Sequence, residues 1–298
     1  MSPIKVAVLR GGSSPAYEDS LKTGQHVLSL LRKMPEEYEP LDIFLSREGE
    51  WHRAGLANDP HRILSQADVV WNALHGASGE SGEVQQLLQS LKIPFTGSGV
   101  AASVLSHNKE MAKDLYRLHS IPTPESIIIR EENFNDDDLA NILRNFMTPV
   151  IVKPATGVRA VGVALARSFH ELKDAVKSCF THSPRVLVEE YVRGTVSTCA
   201  VVEKAKGEDL YALLPTHVET TLRRVRPLPE QNRKIEEYAK RAHEALGLRH
   251  YSSSDFVITP KGKIYILETN SQPLFHEDSL LTQSLEASGW QAEHFTDH

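Results

Sequence analysis

The sequence predicts a mixed fold, α/β in its first third and α+β in the remainder. Two observations lead to this prediction. Short apolar runs alternate with helical segments before about residue 98, which is typical of a parallel, Rossmann-like sheet. After Gly97-Ser98-Gly99 the pattern changes, and the last third contains strand pairs around glycine turns, which is typical of an antiparallel sheet. We therefore place a domain boundary near these residues.

The first third reads as strands and helices in alternation. The predicted strands are Lys5–Leu9, Leu41–Leu45, Ala67–Leu74 and Ile93–Phe95. A glycine turn after the first strand leads into a helix that ends near Leu31, with Ser14 as its N-cap and Pro15 as its first residue. This order favours parallel strands joined by crossover helices.

The remaining two thirds predict two further groups of elements. The strands are one that begins at Ile127–Ile129, then Val150–Lys153, Gly162–Ala166 and Arg185–Glu189. The helices are one that carries Lys109, then Asp137–Phe146, a helix from the capping box Ser168/Glu171 to Phe180, and Pro229–Leu246 stopped by Gly247. Strand pairs surround Lys206-Gly207 and Lys261-Gly262. We expect these last pairs to form an antiparallel sheet.

Composition excludes several classes of protein. The chain has 298 residues, a formal charge of −6 and 24% charged residues, with no apolar run long enough to cross a bilayer. A mildly acidic chain repels polyphosphate, so we expect no nucleic-acid partner. Cys179 and Cys199 have no partner spacing for zinc or a disulfide, and we expect buried thiols. No secretory signal is visible at the amino terminus, so a cytoplasmic location is the expectation.

The last hairpin is the most informative motif. If Lys261 and Gly262 form a two-residue loop, Asp255 lies directly opposite Glu268. Asn270 shares the face of Glu268 by the period of two. Two carboxylates and an amide oxygen in this arrangement suit Mg²⁺, and the alternative is an exposed polar sheet face.

Other motifs are weaker on their residues alone. Lys153 ends an apolar strand beside a glycine-rich loop and could hold phosphates, although a surface lysine is the commoner case. The strand from Val186 to Val192 could offer partners to a purine and a ribose. The loop from His75 to Gly82 could approach an anion or be a simple βα connection. Three arginines lie close together before Pro227, namely Arg223, Arg224 and Arg226, and we call them the arginine cluster. We favour a solvated loop over an anion clamp for this cluster.

Taken in chain order, several segments resemble the D-alanine–D-alanine ligase family of the ATP-grasp superfamily. The segments are KVAVLRGGSS, HGASGESG, FTGSGV, VIVKP, VLVEEYV and LETNSQP. The resemblance implies an ATP-grasp fold with three domains: an N-terminal Rossmann-like (pre-ATP-grasp) substrate domain, 1–98; a central subdomain, 99–190; and a C-terminal subdomain with the metal site, 191–298. It also implies a cytoplasmic homodimer without membrane or nucleic-acid partners, which supplies a peptidoglycan precursor for the cell wall.

The resemblance further implies a reaction and a set of roles. ATP phosphorylates the carboxylate of one D-alanine, and the amine of a second attacks the acylphosphate. Mg²⁺ or Mn²⁺ would bind Asp255, Glu268 and Asn270. The nucleotide would be held by Lys109 and Lys153 at its phosphates and by Glu190, Tyr191 and Val192 at its adenine, with Glu189 beside them. The amino-acid side would include Glu18, His75, Ser279 and Leu280.

Some positions depart from the family pattern on the substrate side. The substituted residues are Ala16 for a glutamate, Arg159 for a serine, Val196 for a ribose-binding acid, Ser253 for an arginine and Leu274 for a glycine. The lid between Pro215 and Pro227 is also short. Three hypotheses follow: a divergent D-alanine–D-alanine ligase in which Arg159 or the arginine cluster supplies the missing charge, an ATP-grasp ligase for another carboxylate and amine, and a catalytically weak or inactive nucleotide-binding paralogue.

Overall fold

The computed structural model describes residues 2–157, 160–217 and 228–298, and within these ranges the strands form three sheets. The N-terminal sheet has the order β4-β3-β2-β1-β5, in which β1 pairs in parallel with β2 and β5. Its strands are β1 (Ile4–Gly11), β2 (Tyr38–Leu45), β3 (Trp51–Arg53), β4 (Leu56–Ala57) and β5 (Val69–Asn72). Its helices are α1 (Tyr17–Leu31), α2 (Pro60–Leu64), α3 (Ala77–Glu80) and α4 (Glu83–Ser90).

The predicted parallel core is confirmed, with three differences. The antiparallel strands β3 and β4 were not predicted. The predicted strand Ile93–Phe95 is reduced to one parallel bridge between Phe95 and Val70. The prediction that Ser14 caps α1 is wrong, because the helix begins at Tyr17 and the Ser14 hydroxyl donates to the carbonyl of His75 at 2.7 Å. That bond fastens the first glycine turn to the loop after β5.

The central sheet is antiparallel, in the order β6-β9-β7-β8. Its strands are β6 (Ser126–Arg130), β7 (Val150–Pro154), β8 (Ala164–Ala166) and β9 (Arg185–Glu190). The helices before and within it are α5 (Val100–His107), α6 (Lys109–Leu118), α7 (Asp136–Asn145) and α8 (Phe169–Phe180). Ser168 caps α8 as predicted, but the Glu171 carboxylate accepts from the amide of Arg167 and not from that of Ser168. The predicted capping box is therefore half formed.

The C-terminal sheet is also antiparallel, in the order β11-β10-β13-β14, with β12 paired to β10. Its strands are β10 (Thr195–Glu203), β11 (Leu210–Ala212), β12 (Thr216–His217), β13 (Tyr251–Ile258) and β14 (Ile264–Asn270). The last helices are α9 (Pro229–Ala245), α10 (Leu280–Ala287) and α11 (Ala292–Asp297). Both predicted strand pairs of the last third are confirmed.

The β13–β14 hairpin reaches its predicted pairing by a different geometry. The amide of Thr259 donates to the carbonyl of Lys263, so the loop has three residues and the predicted two-residue loop is wrong. Phe256 pairs with Ile266 while Asp255 pairs with Glu268, which leaves Leu267 as an extra bulged residue. The bulge shifts the register by one residue and compensates for the longer loop. Asp255 therefore lies opposite Glu268.

The buried apolar residues connect the sheets unequally. The first cluster joins the N-terminal and C-terminal sheets through Val8, Trp71, Val202 and Phe275. A second cluster joins α6 to α9 and β13, whereas the core of the central sheet is formed by its own strands with α7 and α8. The central sheet therefore has an apolar core of its own, and polar contacts join it to α6, among them the ion pair between Lys113 and Glu189. Among the described residues, no helix is both long and apolar enough to span a membrane.

Candidate active site

Two carboxylates and an amide meet where β13 and β14 pair. Asp255 and Glu268 are cross-strand partners, Asn270 follows Glu268 by two residues, and all three line one cavity. The Thr198 hydroxyl donates a hydrogen bond to Asp255. Burial, together with the neighbouring charge of Glu268, raises the pKa of Asp255 to about 7. Adjacent carboxylates that repel each other in this way, with a nearby amide oxygen, form a donor set that fits a hard divalent cation.

Lys109 lies beside this pair at the first position of α6. Its Nζ atom is 3.5 Å from Oε2 of Glu268 and donates to the carbonyl of Gly157 at 2.6 Å. Asn108 caps the helix by accepting from two backbone amides, and the Lys109 amide donates to the carbonyl of Ala155. The helix start is thus fastened to the glycine-rich loop after β7, and it holds an ammonium group next to the acidic pair.

A second ionic group is buried at the end of β7. Lys153 donates to Oε1 of Glu189 at 2.7 Å, and Lys113 donates to Oε2 of the same carboxylate at 3.0 Å. Burial alone would raise the pKa of Glu189, but the two ammonium groups together lower it. Sequence reasoning did not identify Lys113. Its position four residues after Lys109 places both lysines on the same face of α6, and this spacing was the available sequence signal.

A cavity of about 520 Å³ separates the central and C-terminal sheets, and we call it the inter-sheet cavity. Its apolar walls contain Ile151 and Val163 on the central side and Val196 and Val257 on the other. Its lining includes all the residues predicted to hold a nucleotide, namely Lys109, Lys153, Glu189, Glu190, Tyr191 and Val192. The Glu190 carboxylate accepts from the amide of Glu125, while Tyr191 is 45% exposed. A cavity lined by apolar side chains and a few ionic groups suits a planar base with a charged tail.

A second cavity of about 280 Å³ lies on the other side of the acidic pair, and we call it the loop cavity. His75, from the loop after β5, and Glu80, the last residue of α3, line it. Burial lowers the pKa of His75 to about 4 and raises that of Glu80 to about 7. The Glu80 carboxylate accepts from the amide of Gly76 at 2.7 Å, and Nε2 of His75 is 2.8 Å from the Thr23 hydroxyl. Glu80 was not identified from the sequence.

One ring nitrogen of the buried His75 imidazole faces the cavity without a side-chain partner. Nδ1 has no hydrogen-bond partner at normal bonding distance among the described residues, although the backbone of Gln272 lies near the ring and raises the pKa of His75 against the effect of burial. The Thr23 hydroxyl accepts from the amide of Phe275 at 3.4 Å and can either donate to Nε2 of His75 or accept from it. A buried ring nitrogen at a cavity wall is suited to a polar ligand.

The remaining predicted residues have different positions. Ser253, Leu274 and Leu280 line the loop cavity. Ser279 is the N-cap of α10, where its hydroxyl accepts from the amide of Thr282 at 3.2 Å, and it lines neither cavity. Glu18 faces Arg47 and lines a separate open cleft beside α1. The buried Ala16 carries no polar group. Arg159 and the arginine cluster lie outside the described residues.

A family model, sequence relatives and solved structures all indicate the same family of enzymes. The family model described as D-ala D-ala ligase C-terminus matches residues 115–298. The D-alanine–D-alanine ligase of Geotalea uraniireducens is 33% identical over 96% of this chain and 91% of its own length, and that of Carboxydothermus hydrogenoformans is 31% identical over 96% and 94%. The ATP-complexed D-alanine–D-alanine ligase from Bacillus anthracis superposes with a TM-score of 0.81 at 27% identity, covering 99% of this chain and 94% of that one. The Enterococcus faecalis VanG D-Ala:D-Ser ligase has the same fold, with a TM-score of 0.86 at 24% identity, covering 99% and 98%.

Proposed function

Because the chain belongs to the D-alanine–D-alanine ligase family, an ATP-grasp family of peptide-bond-forming ligases, we propose that it joins two D-alanine molecules through an acylphosphate. The product would be a precursor of peptidoglycan. One observation carries the proposal: the inter-sheet cavity and the loop cavity share Thr198, Asp255, Glu268 and Leu280 in their walls. A nucleotide in the first and a carboxylate in the second would meet at the acidic pair.

The residues divide the chemistry between the two cavities. Asp255, Glu268 and Asn270 would hold Mg²⁺, which when bound neutralises charge on the transferred phosphoryl group. Lys109 and Lys153 would position the phosphates, and Glu190, Tyr191 and Val192 the base. Nδ1 of His75 would form a hydrogen bond with the first amino acid. The reaction needs no covalent enzyme nucleophile, since positioning and charge neutralisation lower the barrier to phosphoryl transfer.

A different amino-acid pair is the second candidate, and particular residues favour it. Ser253 and Leu274 both line the loop cavity, where the family pattern has an arginine and a glycine. Leu274 takes up volume and Ser253 provides no charge, so these two side chains bear directly on which acids fit. Arg159 or the arginine cluster would supply the missing charge under either candidate.

A coupled assay of ADP release tests the proposal. Purified protein with Mg²⁺ and ATP is given D-alanine, and then a panel of other amino and hydroxy acids. We expect ADP release to depend on D-alanine and the product to be the dipeptide. Release with another acid alone would favour the second candidate. ATP binding with no release on the whole panel would contradict both and support an inactive paralogue.

A further inference from the structure

A lysine outside the inter-sheet cavity shares the carboxylate at its base. Glu189 accepts from Lys153 with one oxygen and from Lys113 with the other, at 2.7 and 3.0 Å. Lys153 and Glu189 line the cavity, whereas the side chain of Lys113 is 1% exposed and lies behind them. Lys113 therefore touches the lining of the cavity at Glu189.

Contacts with several elements hold Lys113 in place. Its Nζ atom also donates to the Thr123 hydroxyl at 2.8 Å, and that hydroxyl donates to the carbonyl of Ile266 at 2.9 Å. The ammonium group therefore connects α6 and β9 with β14. Burial lowers the pKa of Lys113 and the charge of Glu189 raises it, and together they leave it at about 8. The amine is therefore mostly protonated at pH 7.

The charges of this group do not cancel. Two ammonium groups and one carboxylate leave a net charge of one positive unit, whereas Lys153 and Glu189 alone would be neutral. Interior charges are weakly screened, so the surplus acts on whatever enters the cavity. We propose that Lys113 is a positioning residue for the nucleotide phosphates, because it takes up half of the Glu189 carboxylate and leaves the charge of Lys153 available to an anion. This inference rests on the proposed binding of ATP in the inter-sheet cavity.

A purely structural role for Lys113 makes a different prediction. If Lys113 only allows Glu189 to be buried, its loss deforms the cavity for any nucleotide-like ligand. If its charge reaches the phosphates, its loss weakens the binding of charged nucleotides and spares the uncharged nucleoside. The comparison of ADP with adenosine therefore separates the two roles.

The experiment is calorimetric titration of ADP with Mg²⁺, and of adenosine, at pH 7. For Lys113→Met we expect the Kd of ADP to rise about tenfold and that of adenosine to change less than about twofold. Arg117→Met is the matched control, since it removes one charge from an exposed position on the same helix. We expect neither affinity to change in the control.

Two further variants keep the test decisive if Lys113→Met is poorly folded. Lys113→Gln retains a donor to Thr123 without the charge and should show the same selective loss of ADP affinity. The double variant Lys113→Met/Glu189→Gln restores one net positive charge and should recover part of that affinity. Equal loss of ADP and adenosine, or no loss of either, would overturn the inference. Wild-type protein that binds neither ligand would instead contradict the proposed function, and this outcome is distinguishable in the first titration.

Discussion

The two cavities that meet at Asp255 and Glu268 are built from different parts of the fold. The ionic groups of the inter-sheet cavity lie on strands or at a helix start, and both of its lysines are paired: Lys153 with Glu189, and Lys109 with Glu268. Backbone pairing fixes the strand positions, so the distances between these groups follow from register. This side of the site is ionic and fixed in geometry.

The loop cavity adds two groups that burial keeps close to neutral. Burial keeps His75 uncharged and raises the pKa of Glu80 to about 7. His75 lies in the loop after β5, which the Ser14 hydroxyl fastens at the carbonyl of His75, and Glu80 is the last residue of α3. Of the departures from the family pattern that line this cavity, Leu274 follows β14 and Ser253 lies on β13. The contrast between the cavities is therefore one of charge, with paired ions on one side and nearly neutral groups on the other.

The largest effect should come from Glu268, one of the residues that line both cavities. Glu268→Gln removes a charged metal ligand and the partner of Lys109, and we expect kcat/KM to fall about a thousandfold, about 4 kcal/mol. Steady-state kinetics with Mg²⁺ measure this. Glu286→Gln, an exposed change of the same type on α10, is the control and should leave turnover unchanged. Turnover of Glu268→Gln at the wild-type rate would contradict the metal assignment.

The loss of a buried ionic partner should lower the free energy of unfolding more than the loss of an exposed one. Glu189→Gln leaves two buried ammonium groups without an anion, and we expect the free energy of unfolding to fall by about 3 kcal/mol. Urea denaturation measures this. The matched control is Glu208→Gln, which breaks an exposed 2.7 Å pair with Lys240 and should cost less than about 1 kcal/mol. Similar losses in both variants would show that burial adds nothing to the Glu189 interaction.

A change in the loop cavity should alter the KM for the amino acid and leave the KM for ATP unchanged. His75→Ala removes the ring nitrogen Nδ1 at the cavity wall, and we expect the KM for D-alanine to rise about tenfold while the KM for ATP stays unchanged. The exposed His61→Ala is the control. An equal rise in both KM values would break the distinction between the cavities.

A pH dependence should appear at Glu80. Its pKa is raised from 4.5 to about 7 in the folded protein, so the folded state binds this proton more tightly than the unfolded state. The stability it contributes is therefore lost as pH rises through this window. Glu80→Gln should be about 3 kcal/mol more stable than wild type at pH 8 and little different at pH 4.5. Urea denaturation at both pH values checks this, and a difference that is independent of pH would contradict the assignment.

How far the sequence predicts the site depends on where each residue lies. Asp255 and Glu268 could be paired from the sequence because a hairpin relates residues through its turn. The correct pairing nevertheless resulted from two compensating differences, a loop one residue longer than predicted and the bulge at Leu267. A bulge of this kind has no local sequence signal here, because Leu267 continues an ordinary apolar run.

Contacts between distant segments could not be predicted. Lys113 reads as a surface lysine on an amphipathic helix, and its partner Glu189 is 76 residues away. Ser14 reads as a helix cap because the glycine turn before it has the right composition, but its hydroxyl bonds to a loop 61 residues later. The domain boundaries at 98 and 190 stay predictions, and they depend on α6, which packs its apolar side chains against α9 while Lys113 bonds to Glu189 of the central sheet.

The central claim is that a carboxylate in the loop cavity attacks a phosphoryl group from the inter-sheet cavity at Asp255 and Glu268. Mass spectrometry of the released phosphate, after turnover with ATP and D-alanine labelled with ¹⁸O in its carboxylate, tests this most directly. An acylphosphate transfers one substrate oxygen to the phosphate, so we predict one ¹⁸O atom per phosphate released. Unlabelled phosphate would mean that water accepts the phosphoryl group, and it would contradict the account.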